Sequence, residues 1–192
     1  AADRVAALFG MASHLTGERL LISPLVAIAI HSLAGSQTEF LVNSVKLTAQ
    51  GRQTLLDAMS RLQGDDPFGV RSGIMGERGF LRTWLATEAA KPNAGKMLAA
   101  LLDGQQGQSP AARQIAAMSD QQLQQQATGI ERAYDQIVAA WSAPDPQKEL
   151  DAIQSAATEG KYGVLAQVTL PALGKAYASH AKALQAHAKT LQ

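Results

Sequence analysis

The chain has 192 residues and a mass of 20.2 kDa, enough for one domain with a sizeable core and short of two comfortable ones. Seventeen basic and sixteen acidic residues leave a formal charge of +1, which supplies no general field for a polyanion and argues against nucleic acid as a partner. The sequence contains no cysteine, so disulfides, thiolate metal sites and cysteine nucleophiles are excluded.

Alanine occurs 36 times and glutamine 19 times, against nine aromatic residues in all. Good helix formers dominate and β-branched residues are sparse. The expected fold is therefore an all-α, single-domain bundle over 1–192, with seven to nine helices and a long central loop. An alanine-rich core contributes little apolar area per residue, so stability must come from close helix approach. The opening Ala1-Ala2-Asp3 has no initiator methionine. It suits a mature terminus behind a cleaved signal peptide, a fragment start or the first ordered residue. An Ala/Gln-rich, cysteine-free composition is compatible with export, and the expectation is a periplasmic or secreted bacterial protein.

In chain order, Asp3 to Phe9, Met11 to His14 and a stronger segment over Leu15 to Ile22 open the helical pattern. Ser23-Pro24 reads as N-cap and N1 of a helix running through Ile30 to Leu33 and closing near Gly35. Apolar on nearly every side, that helix is expected at the centre of the bundle. Its uninterrupted run, Leu25 to Ile30, falls short of the ~20 residues a spanning helix needs, so no transmembrane segment is expected. Ser36 to Glu39 has capping-box spacing before a long helix to Leu62, with Gly51 as a kink or interruption. Residues 64–76 hold five Gly or Pro and read as a structured loop, with Phe68, Val70, Ile74 and Met75 folded back over the domain.

A helix over Glu77 to Ala90 carries Trp84. Lys91-Pro92-Asn93 stops it, and Ala94 to Leu102 resumes. Residues 103–109 form a polar linker ending in Ser109-Pro110, a helix start for Ala111 to Met118. Ser119 to Gln122 is a second capping box, opening a helix with the stripe Leu123, Ala127, Ile130, Tyr134, Ile137 and Trp141. Gln147 to Thr158 is a short helix. Val164 to Leu170 could pair as a short strand. Residues 170–192 form a C-terminal amphipathic helix whose seam is Leu173, Tyr177, His180, Leu184, His187 and Leu191. Lys175, Lys182 and Lys189 lie on its opposite side.

No catalytic residue is assigned, and no metal or cofactor site. His14 and Glu18 are four apart but lack the further ligands that a metal needs. His31 is expected to close the apolar helix, bonding its last carbonyls. Ser179 and Lys182 share the Ser-x-x-Lys spacing without its supporting elements. His180 and His187, ~10.5 Å apart along a helix axis, are too far apart for one tetrahedral metal and are expected to be neutral and hydrogen-bonded. Phe68, Arg71, Met75, Arg78, Arg82 and Trp84 are the candidate ligand or partner surface, the three arginines offering an anion or carboxylate contact. The expected role is a non-enzymatic structural or protein-interaction module of a bacterial envelope or secretion-related system. A helical binder of an apolar or amphipathic small molecule, lidded by Trp84 and Phe68 to Met75, is the alternative. A hydrolase or metal enzyme built on His14, Glu18 and His31 is the third.

Overall fold

The computed structural model describes residues 1–44, 47–88, 91–102 and 109–190. The described residues form helices and turns, with no strand. In order they are α1 (Ala2–Leu15), α2 (Ile22–Ser44), α3 (Ala49–Met59), α4 (Val70–Glu88), α5 (Ala94–Leu102), α6 (Pro110–Ala116), α7 (Asp120–Trp141), α8 (Pro146–Thr158), α9 (Val164–Thr169) and α10 (Pro171–Thr190). Nine have seven residues or more. The six-residue α9 occupies the stretch that could have been a strand. Two compact units result: one of Ala1–Glu77 with Ala176–Gln192, the other of Arg78–Lys175.

In the first unit α1 and α2 pack together and α3 packs on α1, burying Val5, Phe9, Ala34, Leu41, Leu55 and Met59. The stretch expected to strengthen over Leu15 to Ile22 is instead a turn from Thr16 to Leu21. The next correction concerns α2, which runs straight through Gly35. Ser36 does not cap a new helix there: its hydroxyl donates back to the Ser32 carbonyl (3.1 Å), as Ser32 does to Ile28 and Thr38 to Ala34. Those bonds satisfy the hydroxyls within a helix, and burial of Ala34, Thr38 and Leu41 carries the helix past the glycine. The break comes later, where the Thr48 side chain accepts from the Gly51 N–H and caps α3. Gly51 thus lies in the first turn of a helix rather than at a kink.

Residues 64–76 are only half a loop, because α4 starts at Val70. The Asp66 carboxylate accepts from the backbone N–H groups of Val70, Arg71 and Ser72 at 2.9, 2.9 and 3.3 Å, an anionic cap on three orphan donors. Glycine here marks close packing as well as turns. A Cβ on Gly76 would overlap the Arg19 carbonyl oxygen, and one on Gly73 would stand 3.0 Å from the Leu21 Cα. Gly69 has φ +72°, a conformation L side chains rarely adopt.

Nor is α2 enclosed at the centre of a bundle: Ile22, Val26, Leu33 and Phe40 are 42–61% exposed. As a continuous helix of 23 residues with an 18-residue window of mean hydropathy 1.3, it is long and apolar enough to cross a membrane, and a third of that window is buried. The expected limit at Leu25 to Ile30 followed from counting Ser23-Pro24 and His31 as interruptions, whereas α2 carries both within one continuous helix.

The second unit is organised by α7. Its capping box forms reciprocally, Ser119 accepting from the Gln122 N–H and Gln122 from the Ser119 N–H. Leu123, Ile130, Tyr134 and Ile137 are buried as the stripe requires, while Ala127 and Trp141 are half-buried. Ser109 and Asp145 cap α6 and α8, each with proline in the first turn. Within the expected linker, positions 103–108 lie outside the described residues.

Candidate functional site: a groove between α2 and α10

Three of the four histidines are buried in the first unit: His31 at 1% exposure, His180 at 2% and His187 at 8%. Contrary to expectation, His31 sits mid-α2 rather than at a helix end. Its ring packs edge-on against Phe9 (5.2 Å), Phe68 (5.1 Å) and His187 (4.9 Å), and Phe68 in turn packs against His180 (6.0 Å). His31 Nε2 and His187 Nδ1 are 3.0 Å apart.

The tautomers follow from the partners. His187 also hydrogen-bonds the Leu62 backbone, whose carbonyl can only accept, so the His187 ring donates there. In a neutral ring this leaves Nδ1 as an acceptor, and His31 Nε2–H donates to it. His31 Nδ1 is then an unprotonated acceptor, buried and without a hydrogen-bond partner among the described residues. Burial first, and the neighbouring His187 second, push His31 down to about 4. Burial lowers His187 against the Leu62 bond, and lowers His180 against the attraction of the Asp66 carboxylate. All three rings are therefore neutral at pH 7.

Of these histidines His31 also lines an open groove of about 760 Å³ between α2 and α10. Its apolar lining includes Ile28, Val42, Ala183 and Ala186, and Lys182, Lys189, Glu39 and Asn43 also line it. Lys182 and Lys189 make no ion pair among the described residues. Ser179, the partner of Lys182 in the Ser-x-x-Lys spacing, lines the groove too, and both are exposed.

The expected surface residues fall in different settings. Phe68 is wholly buried and Met75 is 41% exposed, so the segment Phe68 to Met75 is not a lid: its first residue is core and its last is surface on α4. Arg71 and Met75 line a cleft of about 340 Å³ with Arg19 and Ser72. Arg78 is not available to an anion, because its guanidinium bonds Glu131 (2.6 Å) and Asp135 (2.7 Å). Glu131 also draws Arg82, at 3.8 Å, and Trp84 is half-buried on α4. Glu18 lies in the turn beyond the end of α1, so it shares no helix face with His14.

Of the C-terminal seam, His180 and His187 are buried, Tyr177 and Leu184 half-buried. Leu191 is outside the described residues, as is the side chain of Leu173. Sequence reasoning missed the His31–His187 pair and the groove flanking the lysines. The signal within reach was an apolar helix carrying one histidine and a seam carrying two. Among the described residues no group of three or more His, Asp or Glu could hold a metal ion. No protein-family model matches the sequence, and comparisons with curated proteins and solved structures gave no match.

Proposed function

We propose that this chain is a non-enzymatic protein-interaction module of a bacterial envelope or secretion-related assembly, and that the groove between α2 and α10 receives an acidic amphipathic helix of a partner protein. The observation that carries the reading is the pairing of small walls with an unneutralised basic rim. Ser32, Gly35 and Ser36 on one side and Ala183 and Ala186 on the other let an incoming backbone approach closely. Lys182 and Lys189 stand one heptad apart, about 10.5 Å along the axis, with no acidic residue anywhere from 161 to 192. Acids at i and i+7 of an inserted helix meet both ammonium groups, and Glu39 on the facing wall selects against acids on its other flank. An open, partly charged groove suits a helix better than a small apolar ligand, whose sites are concave and mostly apolar. The envelope assignment draws on an Ala/Gln-rich, cysteine-free composition compatible with export.

The test is binding of a labelled helical peptide with two glutamates one heptad apart and alanine and leucine between them. The wild-type chain should bind it saturably. The Lys182→Glu/Lys189→Glu variant should bind at least tenfold more weakly and recover with a peptide carrying lysine in place of both glutamates. Equal affinity of wild type and variant for the acidic peptide overturns the reading.

A further inference from the structure

The face of α2 turned away from its core side carries a second pattern. Ile22, Val26, Ala29, Leu33, Ser36 and Phe40 follow one another at spacings of four, three, four, three and four, and all six are exposed. Ile22 is 61%, Val26 42%, Leu33 53% and Phe40 59% exposed. No Asp, Glu, Lys or Arg occurs from Ile22 to Thr38. A neutral heptad seam of this kind is complementary to another helix with the same period.

We propose that α2 pairs with the α2 of a second copy of this chain, antiparallel and about a two-fold axis at the level of residue 31. The volumes along the seam choose both the partner and the direction. In this register Ala29 faces Leu33 of the second copy, Ser36 faces Val26, and Ile22 faces Phe40, each pair occurring twice by symmetry. Small residues thus meet large ones, as close packing demands. A parallel, in-register pair would instead set Ala29 on Ala29 and Ser36 on Ser36, leaving gaps, and crowd Phe40 on Phe40. Antiparallel alignment also opposes the helix dipoles favourably. The four large side chains expose roughly 400 Å² of apolar surface per copy, the scale at which a patch marks an association site. Twice that, roughly 800 Å², is below the ~1,200 Å² of a standard stable interface, so the dimer is weak and concentration-dependent.

Ser36 borders both surfaces, but the pairing needs no peptide in the groove, and its test uses none. Sedimentation of the full chain over about a hundredfold range of concentration should show monomer passing to dimer. Leu33→Glu should abolish the shift with an unchanged circular dichroism spectrum. The chain has no native cysteine, so direction can be read by cross-linking under mild oxidation. An equimolar mixture of Ile22→Cys and Phe40→Cys chains should give a disulfide-linked heterodimer. Ile22→Cys alone should give none, because its two copies stand about 27 Å apart along the axis. Self-linking of Ile22→Cys, a chain that stays monomeric at every concentration, or a monomer that floats with phosphatidylglycerol vesicles through this face each overturns the proposal.

Discussion

His31 shows how much one side chain can carry in this molecule. Its pKa falls from 6.5 in the unfolded chain to about 4 in the folded one, so the native state binds fewer protons than the unfolded state between those values. The contribution to stability is full above pH 6.5 and is lost as pH falls toward 4, amounting to about 3 kcal/mol. His180 and His187 shift in the same direction and steepen the loss, with Asp66 opposing it at His180. Urea unfolding at pH 7.5 and pH 5 should show this decline, and His31→Leu should flatten it. That variant should also lose ~1–3 kcal/mol at pH 7.5, because His187 Nδ1 is left without its donor. Phe68, wholly buried between the His31 and His180 rings, makes a separate prediction. Phe68→Ala should cost about 3–4 kcal/mol by the same measurement.

α4 shows why an element can be hidden by its own composition. Glycines at 73 and 76 read as turn residues, since each costs a free helix about 1 kcal/mol relative to alanine. They are retained because the Thr16 to Leu21 turn lies against that face, where a Cβ at Gly76 meets the Arg19 carbonyl. Gly76→Ala should therefore destabilise the protein by roughly 1–3 kcal/mol, although helix propensity alone predicts a gain. Asp66→Ala removes the cap shared by Val70, Arg71 and Ser72 and should cost about 1–2 kcal/mol. Chemical denaturation of the two variants, followed by far-ultraviolet circular dichroism, checks both signs. In contrast α7 was legible from the sequence, because it has one periodic apolar stripe and a capping box to match.

For the whole molecule, helix accounts for more than two thirds of the chain, and the circular dichroism spectrum should be dominated by it. The two tryptophans, Trp84 and Trp141, both belong to the unit of Arg78–Lys175, so their fluorescence reports that unit alone. α4 and α10 each contribute residues to both units without a break. Unfolding is accordingly expected as one transition, with tryptophan fluorescence and circular dichroism giving the same midpoint. Phe68→Ala, in the unit without tryptophan, should move both midpoints together; a fluorescence midpoint left unchanged would mean that the units unfold separately.

The sequence by itself determined the helical class, the starts at Ser109 and Ser119, and the stripe of α7. Those features depend on residues within a turn or two of one another, where propensity, capping and period act. Only the tertiary structure decided that α2 passes through Gly35 and shows three different faces, that a glycine-rich stretch is half helix, and that His31 meets a histidine 156 residues away. Each of these is set by what packs against the element rather than by what neighbours it in the chain. Local pattern records which residues share a helical face; it does not record whether another helix, a carbonyl or a groove lies opposite.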